Sequence, residues 1–301
     1  EYFPDKLQNI LFEKIKQNEE MLEEIRIRNQ NYIILKLNNE EKIIKYKVSS
    51  EEIINILQLI CENSIYSYQK QISSGFITLQ GGHRVGLVGS CVIENNKIIN
   101  INYINSFNFR IARQVIGCSN NLLKHILDIE NNNIFNTLII SPPGFGKTTL
   151  VRDIARQVSN GSSVYKFNGI TVGIVDERSE IASLYKGVPQ NDVGMRTDVI
   201  ENVSKAIGIK ILVRSMAPKV IIADEIGVLD DIEAINYALC SGCKGIFTAH
   251  GSSLKDIYKN PVLKNLIDTH IFERLIFLNK DEKGKAKEVY KLNSENCYLS
   301  E

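Results

Sequence analysis

Two hydrophobic patterns divide the chain. In the amino-terminal part, apolar positions come in short runs interleaved with charged and Asn residues, so 24–28, 32–37 and 42–48 read as strands joined by Asn-rich turns. A helical period marks 5–17. Ser49 and Glu52 form a capping-box start for a helix over 53–61, and a shorter helix covers about 64–71. Strands at 75–79 and 85–93 flank Gln80-Gly81-Gly82-His83-Arg84. Beyond residue 119, continuous apolar runs alternate with helical stretches. Strands are expected at 137–141, 170–176, 219–224, 244–249, 273–279 and 286–292, with helices at 119–130, 147–159, 200–215, 230–241 and 252–267. This alternation predicts an α/β core with a mostly parallel sheet covered on both faces. The expected organisation is a smaller α+β domain over 1–105, a linker over 106–118 and the α/β domain over 119–301.

Between the 137–141 strand and the 147–159 helix lies Ser141-Pro142-Pro143-Gly144-Phe145-Gly146-Lys147-Thr148-Thr149. Strand, Gly-rich turn, Gly-Lys-Thr and helix is the context of a P-loop. Gly144 and Gly146 allow torsions that line a concave nest with N–H groups, and the helix start adds its positive end. Lys147 is placed to reach the β- and γ-phosphates, and the Thr148 hydroxyl to ligate Mg²⁺. ATP and Mg²⁺ are thus the expected ligands. Ser141 stands where the usual motif opens with Gly, and Ser tolerates turn torsions.

The 219–224 strand ends in paired carboxylates, where Asp224 is expected to support the metal and Glu225 to polarise the attacking water. Asp176-Glu177-Arg178-Ser179-Glu180 ends the strand before it, at the edge where ligands bind in such sheets. There Glu177 or Asp176 would share the metal and water work, and Arg178 would stabilise phosphate charge. A strand between the P-loop and Asp224 strands in sequence fits the RecA-like branch of P-loop folds, in which an extra strand separates those two in space. Thr248-Ala249-His250-Gly251 ends the following strand, and His250 is either a γ-phosphate sensor or an ordinary loop histidine. Arg84, Arg110, Arg113, Arg196, Arg214 and Arg274 are candidates for an arginine finger. Gly81-Gly82-His83-Arg84-Val85-Gly86 is followed by neither Lys-Thr nor a helix, and reads as a glycine-shaped strand turn.

Composition narrows the partners. The 301 residues carry a net charge of +1, and the basic residues at 14–47 alternate with acids, so no stripe for nucleic acid is present. No apolar run approaches the ~20 residues that span a bilayer. The opening residues, Glu1-Tyr2-Phe3-Pro4, do not read as a signal peptide. Six scattered cysteines fit a reducing compartment. Cys240-Ser-Gly-Cys243 has metal-like spacing without a second pair, and its thiols read as small and buried. Three classes remain: a motor ATPase, a nucleic-acid-dependent motor on the same core, and an ATP-gated scaffold with little turnover. The near-zero charge speaks against the second, and Glu225 against the third.

Four runs carry a family resemblance: Phe76-Ile-Thr-Leu-Gln-Gly-Gly-His-Arg-Val-Gly-Leu-Val-Gly89, Val172-Gly-Ile-Val-Asp-Glu-Arg-Ser-Glu-Ile181, Gly187-Val-Pro-Gln-Asn-Asp-Val-Gly194 and Ile222-Ala-Asp-Glu-Ile-Gly227. Together they resemble the stage III sporulation protein AA ATPases, over about 24–279. That family is similar to the motor ATPases of type II and type IV secretion and pilus machines. The resemblance implies a homo-oligomeric, hexameric ring, cytoplasmic in the mother cell of an endospore former. It implies membrane association through the membrane proteins of a mother cell–forespore channel, which the ring powers. It also implies that Arg110 and Arg113 are arginines that the amino-terminal domain supplies to the nucleotide, that Asp176-Glu177 is the acidic box, and that His250 is the histidine box.

Overall fold

The computed structural model describes residues 1–16, 18–38, 40–279, 282, 284–292 and 298–300. The chain divides into two compact units, Glu1–Arg113 with Tyr185–Val188, and Gln114–Leu184 with Pro189–Glu301.

In the first unit, α1 (Asp5–Ile15), β1 (Leu22–Arg28), β2 (Tyr32–Leu37), β3 (Glu40–Lys47), α2 (Ser50–Ile60), α3 (Gln69–Ser73), β4 (Phe76–Thr78), β5 (Arg84–Glu94) and β6 (Lys97–Arg110) follow in order. The strands form one antiparallel sheet, β3-β2-β1-β6-β5-β4. Their inward positions, among them Ile25, Ile27, Val85, Leu87, Phe107 and Phe109, pack with the buried stripes of α1 and α2. The expected capping box forms: Ser49 Oγ accepts from Glu52 N while a Glu52 carboxylate oxygen accepts from Ser49 N. Gly81 and Gly82 take φ of 83° and 74° in the turn between β4 and β5, a conformation that favours glycine.

One element was not anticipated. β6 runs through Ser106–Arg110, where the sequence suggests a connection, because Phe107 and Phe109 are buried and pair in register with β1 and β5. The division between the units accordingly falls at Arg113/Gln114.

The second unit begins with α4 (Asn120–Ile126), shorter than expected because β7 (Leu127–Asp128) turns back onto β8 (Asn133–Ile134). Then come β9 (Thr137–Ile140), α5 (Lys147–Asn160), the ribbon β10 (Gly161–Ser162) and β11 (Phe167–Asn168), and β12 (Val172–Asp176). The ribbon β13 (Leu184–Tyr185) and β14 (Val188–Pro189), of which Tyr185–Val188 counts with the first unit, precedes β15 (Thr197–Glu201), α6 (Lys205–Ser215) and β16 (Val220–Ala223). Finally, α7 (Leu229–Cys240), β17 (Lys244–Ala249), α8 (Leu254–Lys259), α9 (Pro261–Asp268), β18 (Arg274–Leu278), β19 (Ala286–Leu292) and β20 (Tyr298–Ser300) complete it.

The main sheet has the order β15-β12-β16-β17-β9-β18-β19-β20, parallel from β15 to β18 and antiparallel beyond. Successive residues face opposite cores. Ile139, Ile174, Ile222 and Ile246 pack with α4 and α5, while Leu138, Val175, Ile221 and Phe247 pack with α6, α7 and α9. The strand between β9 and β16 in space is β17; β12 lies on the far side of β16.

Three further expectations are corrected. The helix expected over 200–215 starts at Lys205, preceded by the edge strand β15. The helix expected over 252–267 breaks at Asn260, whose side chain accepts from Val262 N and Leu263 N, with Pro261 at the first position of α9. Cys243 is buried and its thiol donates to Pro218 O at 3.1 Å, but Cys240 is exposed on the last turn of α7, so the reading of both as buried thiols fails there. Cys297 lies outside the described residues. Among the described residues no helix is long and apolar enough to cross a membrane.

Ile222 is fully buried at the centre of the sheet, and Ile43 on β3 is exposed. Ile222→Ala is expected to cost about 2–5 kcal/mol in urea denaturation followed by circular dichroism. Ile43→Ala should stay within about 0.5 kcal/mol. Equal losses would contradict this sheet order.

Candidate active site

At the carboxyl ends of β9, β17 and β16 the chain places its glycine-rich turn, its histidine and its paired carboxylates side by side. Gly144 and Gly146 both have φ of 81°, and a Cβ at either would meet nothing within 4 Å, so backbone torsion rather than crowding selects glycine. Ser141 has no left-handed torsion, and its side chain is buried, so the position opens the turn without needing glycine. Helix α5 begins at Lys147 behind Gly146, with no side chain capping it. Its leading N–H groups thus offer an anion site.

Lys147 is folded back into the turn. Its Nζ donates to Ser141 O at 2.8 Å and Pro142 O at 3.2 Å, and bonds His250 Nδ1 at 3.0 Å. Burial lowers its pKa from the usual lysine value, while the Asp224 and Glu225 carboxylates oppose that shift. An ammonium only donates, so His250 Nδ1 accepts and the imidazole proton sits on Nε2. That nitrogen lies 3.2 Å from Glu225 Oε1.

Asp224 is held from two sides. Thr148 Oγ1, in the first turn of α5, donates to Oδ2 at 2.5 Å, and Thr248 Oγ1, on β17, donates to Oδ1. Glu225 follows with φ of 55°, its N–H donating to Thr248 Oγ1 at 2.8 Å. Its carboxylate pairs with Arg178 at 2.7 Å. Glu177 pairs with Lys205, and these groups line an open cleft of about 430 Å³ together with His250 and Asp230.

The two adjacent acids at the end of β12 part company. Asp176 is 2% exposed and accepts from the N–H groups of Glu180, Ile181, Ala182 and Ser183 at 2.7–3.2 Å. It braces the turn that carries Glu177 and Arg178, and its lone pairs are consumed. Strand alternation leaves Glu177 to face the cleft. Behind this turn, Ser179 Oγ donates to Glu201 at 2.6 Å. Burial raises the Glu201 pKa, the Ser179 bond opposes the rise, and Asp176 adds to it.

The residues fit a nucleotide with a hard divalent cation. A hydroxyl beside a carboxylate is an oxygen pair suited to Mg²⁺, which keeps waters and phosphate oxygens as its other ligands. Among the described residues no group of three His, Cys, Asp or Glu forms a protein metal cage.

The pattern of the family described as sporulation stage III, protein AA, matches residues 3–296. The chain belongs to this family. It is 38% identical to the Stage III sporulation protein AA of Bacillus subtilis (strain 168) over 291 residues, 96% of this chain and 93% of the relative. Its fold resembles the ATPase DotB of Legionella pneumophila (TM-score 0.58, 15% identity, 99% of this chain and 79% of that one). The pilus retraction motor PilT with bound ADP is similar too (TM-score 0.56, 13% identity, 96% and 81%). The fold is therefore the P-loop ATPase fold expected from the sequence, with an antiparallel sheet ahead of a mostly parallel one.

The remaining sequence candidates sit as follows. Arg113 donates to the carbonyls of Glu19 and Leu22 at 3.0 and 2.8 Å, and Arg110 is exposed at the end of β6. Arg84 stacks on Phe76, Arg196 donates to Ser159 O, Arg214 bonds the Tyr237 hydroxyl, and Arg274 stacks on Phe135. Of the arginines considered from the sequence, Arg178 is the one that meets Glu225. Lys205 and Thr248 escaped the sequence reading. Lys205 opens a helix far along the chain from Glu177, and Thr248 stood in a quoted motif with no role.

Asp176→Asn would turn an amide donor toward four N–H groups. It is expected to cost about 2 kcal/mol or more in chemical denaturation, with faster hydrogen exchange at 180–183. An unchanged stability would remove Asp176 from this bracing role. The Glu201 pKa is raised from 4.5, so its favourable contribution is full at pH below that value and is lost as pH rises through the folded-state pKa. Glu201→Gln keeps an acceptor for Ser179 and does not titrate. Its melting temperature should gain on the native chain as pH rises from about 4.5 to 7; a pH-independent difference would argue against a perturbed carboxyl.

Proposed function

We propose that the chain is a Mg²⁺-dependent ATPase, the motor of a ring that powers a mother cell–forespore channel. The observation that carries the nucleotide chemistry is Asp224, bonded at once to Thr148 and Thr248 with Glu225 next to it. Support for a motor comes from the likeness to DotB, called an ATPase, and PilT, called a pilus retraction motor and bound to ADP. The sporulation role rests on family membership, and the hexameric ring, the membrane-protein partners and the mother-cell cytoplasm rest on the family resemblance alone.

In this reading the turn 141–149 cradles the phosphates, and Lys147 exchanges its carbonyl partners for phosphate oxygens. Mg²⁺, when bound, neutralises phosphate charge, and Thr148 with Asp224 holds it. Glu225 polarises the attacking water and accepts its proton, which requires Arg178 to release the carboxylate. Glu177 assists, and His250 holds Lys147 and Glu225 in register until the γ-phosphate arrives. Arg110 or Arg113 serves as the finger, on the family resemblance alone.

The test is Mg²⁺-dependent phosphate release against protein concentration. Glu225→Gln is expected to lower kcat by about 100-fold or more while retaining binding of a fluorescent nucleotide. Lys147→Ala should lose that binding. Turnover should rise with concentration if the sites are completed between subunits. Native-like turnover by Glu225→Gln would remove it as the base, and no turnover at any concentration would overturn hydrolysis as the activity.

A further inference from the structure

We infer that Thr248 is a positioning residue that sets Asp224 and Glu225 as a unit. The inference rests on the ATPase reading for its catalytic consequence, but its geometry stands apart from it.

A threonine hydroxyl has one proton to give and two lone pairs to accept with. At Thr248 the proton goes to Asp224 Oδ1, and the oxygen accepts the Glu225 N–H at 2.8 Å. The Thr248 carbonyl takes the next amide, Ile226 N, at 2.8 Å. Three consecutive residues after β16 are thus tied to one residue of β17. Thr248 is fully buried, so water does not stand in for its hydroxyl.

Two features make this attachment consequential. Glu225 has φ of 55°, a left-handed torsion that strains a residue with a Cβ, so a partner for its amide helps to hold it there. Asp224 has two oxygens and two hydroxyl partners. With Thr248 fixing Oδ1, Oδ2 is turned to Thr148 and so toward the start of α5. A strand residue between β9 and β16 therefore sets both the direction of the metal-supporting carboxylate and the backbone torsion that aims the base.

Thr248→Val keeps the shape and removes the hydroxyl, and Thr248→Ser keeps the hydroxyl and removes the methyl. Valine is expected to lower kcat by about 10- to 100-fold with the KM for ATP changed by less than about threefold, and serine to remain within about threefold of the native rate. In hydrogen exchange on the nucleotide-free chain, the amides of 224–227 should exchange at least about tenfold faster in Thr248→Val and near the native rate in Thr248→Ser. If the valine variant does not fold, Thr248→Ala carries the same comparison. Native exchange and native kcat in the valine variant overturn the inference, as does a serine variant as impaired as valine, which would assign the effect to packing. If the native chain hydrolyses nothing, the ATPase reading fails, and the exchange comparison still decides whether Thr248 holds the segment.

Discussion

The carboxylate of Asp224 binds three elements at one end of the sheet. It follows β16, accepts a hydrogen bond from Thr148 at the start of α5, and accepts another from Thr248 on β17. These elements come from widely separated stretches of chain, and the parallel register β16-β17-β9 brings them within reach of one another. Misplacing β17 by one residue would send Thr248 into the opposite core and leave the acid with one partner. The buried, largely apolar strands around it are therefore more than a core: their register is what aligns a hydroxyl, a carboxylate and a histidine along one edge.

The charges of this edge are balanced from within. Lys147 is satisfied by carbonyls and His250, Glu225 by Arg178, and Glu177 by Lys205. Such pairing lets charged groups remain in a partly buried cleft without stranding one of them. It also means that an incoming polyanion does not find bare charges. It must compete for partners already engaged, and each exchange moves a side chain attached to a different element.

The sequence made the interior strands legible because they are covered on both faces, and 220–223 or 244–249 can hardly be read otherwise. The edge strand Thr197–Glu201 is half-exposed throughout and mixes charge with β-branched residues, so its pattern merged with the helix after it. Lys97–Arg110 is laden with Asn, and its last stretch, 106–110, reads from the sequence as the start of a connection, although Phe107 and Phe109 anchor it in the core. The candidate site divides in the same way. The glycine turn and the acid pair after 220–223 have local signatures. Which of Asp176 and Glu177 faces the cleft depends on strand phase. The partners Lys205 and Thr248 depend on contacts that no short stretch of sequence records.

The inward fold of Lys147 bears on how any affinity at this site is to be understood. The contribution of Lys147 to any binding free energy on the native chain is the difference between two environments of its ammonium, not the strength of a single contact. In the proposed phosphate-binding role, a substitution at His250 that removed the Nδ1 acceptor would weaken the inner environment and tighten apparent binding, as removing a competitor does. The carbonyl oxygens of Ser141 and Pro142 thus hold Lys147 in its resting place, and in the proposed role any anion competes with them.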